Sequence, residues 1–135
     1  MSKLLLLLFC ALFFSTACNP DIADVNSDQI NEVRSEVGLP ELIRLELLDN
    51  FAVGHAKEMA DAGTIYHTTD WSGLPPNYIS GRENVGMGSD PEEIQRALEA
   101  SPPHYSAIVG DYTHYGVGVW ESQGVYYITQ IFLKL

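Results

Sequence analysis

VYYITQIFL, residues Val125–Leu133, decides the architecture. Seven of its nine residues are β-branched or aromatic, which marks a strand. Side chains alternate across a strand, so Val125, Tyr127, Ile131 and Leu133 share one face and Tyr126, Ile128 and Phe132 the other. Both faces are apolar, and each has to be covered. That requires helix–sheet–helix layering rather than a sheet with one wet side. Immediately upstream, Tyr115–Trp120 alternates glycine with valine or aromatic residues, and Glu121–Gly124 reads as a turn, which makes the C-terminus a hairpin. Gly116 and Gly118 leave room for a neighbouring helix or loop to approach closely.

The covering helices lie upstream. Ile30, Val33 and Val37 recur at helical spacing and predict a first helix over Ser27–Val37, capped by Asn26 or Ser27 and stopped by Gly38-Leu39-Pro40. A second helix is expected over Glu41–Ala62, with Leu45, Leu48, Ala52, Ala56, Met59 and Ala60 as its apolar stripe and Gly63 as its C-terminal cap. Thr64–Arg82 is rich in Gly, Pro, Ser and Thr and reads as a loop. A loop of that length in a small domain is usually functional. Glu83–Gly88 can form a short strand. Asp90, Pro91 and Glu93 make a strong helix start with a capping box, and Ile94, Ala97 and Leu98 are expected to face inward. Ser101-Pro102-Pro103 ends that helix, and His104–Val109 follows as a turn or short helix.

Composition bounds the function. The 135 residues fit one domain, and 7 Lys+Arg against 18 Asp+Glu give a net charge of −11. An acidic chain offers no basic footprint for phosphates, which argues against nucleic acid and against electrostatic docking on anionic lipid. Leu4–Phe14 is an apolar run behind Lys3, too short to span a bilayer but suited to an export signal. The expected organisation is a signal peptide over residues 1–17, a lipidated Cys18 with a short polar tether over 18–26, and one domain over 27–135. Cys18 directly after Ser-Thr-Ala resembles a bacterial lipobox; ordinary signal cleavage leaving a free thiol is the alternative. The chain is thus expected to be exported, as a cell-envelope lipoprotein or a secreted protein. The mature chain keeps one cysteine and a net charge of −12, so any membrane attachment comes through the N-terminal lipid.

Four histidines are the candidates for chemistry. His55 sits mid-helix and reads as a hydrogen-bonded helix residue, and His114 reads as surface. His67 and His104 lie in loops or at helix edges, where functional side chains are presented. Glu83 falls between them in sequence. Two imidazoles and a carboxylate suit Zn²⁺ or a similar divalent ion with a water in the open position. A polar network that merely ties loops together is the alternative. The sequence has no nucleophile elbow, phosphate loop or dinucleotide fingerprint. The tyrosines, Tyr105 among them, could line a groove or simply pack.

The order HAKEMA (His55–Ala60), YHTTD (Tyr66–Asp70), GRENVGMG (Gly81–Gly88), DPEEIQRALEASPPHYSAIV (Asp90–Val109), GVGVW (Gly116–Trp120) and ITQIF (Ile128–Phe132) resembles the CAP superfamily. This is the SCP-like domain of cysteine-rich secretory proteins, antigen 5 and pathogenesis-related 1 proteins, here in its small bacterial secreted form. The resemblance implies an α/β (α+β) fold, a three-layer α-β-α sandwich with a mainly antiparallel sheet. It implies a cavity formed by His67, Glu83 and His104, supported by Asn84, Ser101, Tyr105 and Gln130. Some members bind divalent metal at the paired histidines, and others bind lipids or sterols. Three positions differ from the larger eukaryotic members: Ser101 stands where they carry a second cavity glutamate, Leu98 replaces a tryptophan, and Pro103 replaces a glycine. The acid–base set is therefore incomplete. The function expected is a cavity that binds divalent metal or a small or lipidic ligand. A metal-assisted hydrolase with Glu83 as base, and a structural or interaction domain of the envelope, are the alternatives.

Overall fold

The structure, a computed structural model, describes residues 16–135. Most of the expected signal segment, residues 1–15, lies outside them. The element order is β1 (Thr16–Cys18), α1 (Pro20–Glu36), β2 (Ile43–Arg44), α2 (Glu46–Ala62), β3 (Ser80–Gly88), α3 (Pro91–Ala100), α4 (Pro102–Ile108), β4 (His114–Ser122) and β5 (Val125–Lys134). The sheet order is β1-β4-β5-β3, antiparallel throughout, and β2 adds a short parallel pairing to the outer edge of β4. No described helix is long and apolar enough to cross a membrane.

The two apolar faces of β5 are covered from opposite sides. Ile128 and Phe132 join Val117 and Val119 of β4 under α1, α3 and α4, with Ile30, Ile94, Leu98 and Ile108 completing that core. Tyr127, Ile131 and Leu133 meet α2 through Leu48, Ala52, Ala56 and Met59. The layering expected from the alternation is therefore what the chain adopts.

Gly116 and Gly118 show why α2 sits where it does. A Cβ on Gly118 would lie 2.1 Å from the Val53 nitrogen and 2.2 Å from the Ala52 carbonyl carbon, and one on Gly116 would meet the Leu48 backbone at 2.3 Å. The helix backbone rests directly on the glycine ridge. Gln123 and Gly124 both have positive φ, the geometry of a two-residue hairpin turn whose twist matches its strands.

Several boundaries differ from the expectation. α1 begins at Pro20, not Ser27, so residues 20–26 are its first turns and not a tether; Ala23 and Asn26 are already buried. Pro20 at the first helical position carries no N–H to lose, and Asn19 donates its backbone N–H to Val119 O. The second helix starts at Glu46 instead of Glu41, because Ile43 and Leu45 donate to Thr113 and Tyr115 carbonyls and hold that segment extended. Gly63 does cap α2, in a left-handed conformation. Asp90 caps α3 by accepting from Glu92 N–H, but among the described residues Glu93 makes no return bond, so the capping box is half formed. Ala97 faces solvent; the buried position is Gln95.

Candidate functional site

The cavity of interest lies at the free edge of the sheet, around the first half of β3. It encloses about 280 Å³ and is lined by His67, Trp71, Gly81, Arg82, Glu83, Asn84, Pro103 and His104. Opposite residues in an antiparallel pair share a face. Glu83 is opposite Ile131 and so lies on the α2 side; Asn84 is opposite Gln130 and lies on the side of α1, α3 and α4. Two consecutive residues of one strand thus serve the two walls.

The α2-side wall is built on Glu83, whose side chain is only 2% exposed. Its Oε1 accepts from His67 Nδ1–H at 2.7 Å and from Thr68 N–H at 2.9 Å. Because a carboxylate only accepts, the proton in this bond sits on Nδ1 of His67. Oε2 has no hydrogen-bond partner among the described residues; the nearest cationic candidate is His55 Nε2 at 3.7 Å. His55 is buried, as expected for a hydrogen-bonded helix histidine. Its Nε2–H donates to the Tyr66 carbonyl at 2.7 Å, so it pins the residue before His67. The rest of the loop is anchored by Leu74, Trp71 and Tyr78, which pack on Leu48, Ala52, Ile131 and Leu133.

The opposite wall is α4, and an amide network holds it. Asn84 Nδ2 donates to the His104 carbonyl at 3.1 Å and to Gln130 Oε1 at 3.2 Å. Gln130 Nε2 donates to Asn26 Oδ1 and to Gln95 Oε1, both at 2.7 Å, and Asn26 donates to Gln95. Four buried amides from α1, α3, β3 and β5 therefore fix the height of α4. At the start of α4, His104 Nδ1 lies 2.7 Å from Oγ of Ser101, the residue before the helix. Arg82 donates to the Pro103 carbonyl at 3.1 Å. The His104 ring is held below its ordinary pKa, first by burial and then by the nearby charges of His67 and Arg82.

His67, Glu83, His104 and Asn84 thus converge on one cavity. Gln130 and Ser101 act behind it, Gln130 through Asn84 and Ser101 on the His104 ring. Tyr105 does not line it. Arg82 and Trp71 line it and were not singled out from sequence, and neither were the network members Asn26 and Gln95. His114 is bonded to Thr113 and lies away from the cavity.

Residues 27–132 match the CAP, or cysteine-rich secretory protein, family. The chain belongs to the CAP family. Three solved structures show the same fold. An outer surface protein of Borrelia burgdorferi aligns with a TM-score of 0.77 at 20% identity, covering 90% of this chain and 98% of that one. An extracellular SCP-domain protein of Bacillus anthracis aligns with a TM-score of 0.76 at 23% identity, covering 86% of this chain and 41% of that one. Venom allergen-like protein 4 of Schistosoma mansoni aligns with a TM-score of 0.70 at 16% identity, covering 84% and 88%. None of the curated proteins compared matches the chain. At these identities the likeness is one of fold, and the chemistry of this CAP domain rests on its own residues.

A divalent ion is the group the family implies. Among the described residues no three His, Cys, Asp or Glu side chains converge closely enough to hold an ion by themselves. The cavity does not fit a structural four-ligand zinc site. What its lining offers an ion is two imidazoles, those of His67 and His104, with the Glu83 carboxylate bonded behind His67.

Proposed function

We propose that this protein is exported, anchored at the cell envelope by acyl chains on Cys18, and uses the cavity between His67 and His104 to bind a divalent metal ion or a small ligand. One observation carries the cavity reading. Both imidazoles line the same cavity and have Nδ1 engaged, His67 by Glu83 and His104 by Ser101, and among the described residues no protein group bonds the second ring nitrogen of either. Export and anchoring draw support from the apolar N-terminal run, the Ser-Thr-Ala-Cys junction, and the exposure of Cys18. The outer-surface and extracellular descriptions of the Borrelia and Bacillus structures point the same way.

His67 and His104 would hold the ion through Nε2. A bound ion would supply Lewis acidity and an activated water. Glu83 orients the His67 ring through Nδ1 and would leave Nε2 for the ion. It is bonded twice through Oε1 and shielded from solvent, so it acts through His67 rather than on a water directly. Arg82 adds a fixed positive charge to the mouth. The geometry favours binding over hydrolysis, because the one buried carboxylate of the cavity is committed to positioning.

Calorimetric titration with Zn²⁺ tests the cavity. Wild type should bind; His67→Ala and His104→Ala should each lose most of the heat, and affinity should fall in acid as the rings protonate. Identical heats in the wild type and both variants would overturn the metal reading. Mass spectrometry tests the anchor: a mature N-terminus at diacylated Cys18 supports it, and an unmodified thiol refutes it.

A further inference from the structure

The ligand class of this cavity can be read from the strand that forms its floor. Four consecutive residues of β3, Gly81–Asn84, line it, and β3 is an edge strand with no partner on its outer side among the described residues. Its backbone is part of the site.

Hydrogen-bond parity shows which backbone groups are offered. The β4–β5 hairpin closes on Ser122 opposite Val125 across a two-residue turn, and such a closing pair is hydrogen-bonded. Odd-numbered residues of β5 therefore bond to β4. Independent bonds agree: Thr113 N–H donates to Leu133 O on the β4 side, and on β4 the odd residues turn outward, Val119 O to Asn19 and Tyr115 O to Leu45. Even-numbered residues of β5 then bond to β3. Their partners are Ser80, Arg82, Asn84, Gly86 and Gly88. Gly81 and Glu83 consequently direct N–H and C=O away from β5, along the free edge. Among the described residues, no loop, helix or side chain bonds those groups from that side. They are spaced about 7 Å apart, the repeat at which a neighbouring strand offers complementary groups.

We infer that the cavity takes an extended peptide segment, which adds to β3 as a further strand and bonds through its backbone to Gly81 and Glu83. This inference rests on the reading of the cavity as a ligand site and names its occupant. The walls suit it. Side chains of an added strand would alternate between His67 and Trp71 on the α2 side and Arg82, Pro103 and His104 on the α4 side. The volume suits it as well. About 280 Å³ is small for an enclosed ligand and open enough for part of a longer chain to pass through. The mouth continues onto exposed Ser80 and the 73% exposed Ile79, which offers apolar contact beyond the cavity. Main-chain bonds supply affinity in this mode and the two walls supply side-chain preference.

The test uses the purified wild-type protein and a random library of capped decapeptides. Peptides retained by the protein are resynthesised with single backbone N-methyl groups moved residue by residue. Binding should be lost when the methyl falls on alternate residues of one parity and survive on the other. In the ¹⁵N-labelled protein, amide exchange at Gly81 and Glu83 should slow by at least about tenfold on peptide addition, while Arg82 and Asn84, already bonded to β5, change little. Indifference to methyl position, protection confined to other residues, or a library that yields no binder would each overturn the inference. Zinc titration of the same sample reports on His67 and His104 separately, so failure of the peptide arm and failure of the metal reading are told apart.

Discussion

Replacing Gly118 with alanine should be among the most damaging single-methyl changes in this chain. The added Cβ would lie 2.1 Å from Val53 N, 2.2 Å from Ala52 C and 2.6 Å from Ala52 O, against an ordinary contact of 3.4–4 Å. All three atoms are helix backbone, so no side chain can rotate away. α2 must instead rise from the sheet by at least about 1 Å, which opens gaps along a close-packed interface. Overpacking costs about 1–3 kcal/mol where side chains can yield, and here the cost should reach the upper end, about 3 kcal/mol. For a domain of this size that is a fall in Tm of about 12 °C. The effect should reach the cavity, because α2 carries His55, which holds the Tyr66 carbonyl next to His67. Urea unfolding followed by Trp fluorescence gives the stability, and amide shifts of Thr68 and Glu83 report the wall. Gly54→Ala is the control. Gly54 lies within the same helix with nothing within 4 Å of its added Cβ, and there alanine should stabilise by about 0.5–1 kcal/mol. A loss under 1 kcal/mol at Gly118, or equal effects at the two positions, would refute the close approach of α2.

Other substitutions probe the remaining parts. Arg34, 2% exposed, donates to the Pro40, Ile108 and Gly110 carbonyls, so Arg34→Met should cost about 3 kcal/mol or more in urea unfolding by stranding these acceptors. Because the folded state holds the His104 pKa below 6.5, it resists taking up that proton; this contribution to stability is present above about pH 6.5 and is lost as pH falls below it, through the lower pKa of the folded state. His104→Gln should therefore flatten the Tm profile between about pH 7 and pH 5, and an unchanged slope would contradict the cause assigned. Glu83→Gln should weaken Zn²⁺ binding by about 10–100-fold, through loss of the carboxylate behind His67, with calorimetry as the measure.

The layering was legible because β5 is apolar on both faces, and the glycine ridge because Gly116 and Gly118 alternate with valines in a strand. The three cavity residues could be picked out as loop histidines with a carboxylate between them, but only the order of motifs put them in one cavity. Gaps of sixteen and twenty-one residues between His67, Glu83 and His104 carry no local signal, and the sheet brings these residues together by pairing β3 with β5. The start of α1 was hidden because Asp21, Asp24 and Asn26 interrupt its first turns and Pro20 reads as a breaker rather than a first helical residue. Asn26 reads as a cap in sequence, yet it is buried inside an amide network, bonded to members 69 and 104 residues away. Gln95 was missed for the same reason, since a glutamine on a helix stripe looks like surface until its partners are known. Arg82 and Trp71 become visible only once the loop folds back against the strand edge.

The link between Cys18 and the domain has a consequence for how a ligand arrives. Cys18 pairs with Trp120, and α1 begins two residues later, so no flexible leash separates an acylated N-terminus from the folded body. Cavity and Cys18 stand at diagonally opposite corners of the sheet, three strands apart and four residues along, about 20 Å in all. With acyl chains on Cys18 the body could neither swing nor roll far. Its cavity would be carried at a fixed standoff from the bilayer, as on a short bracket, and would be loaded from the aqueous side rather than by drawing lipid out of the membrane.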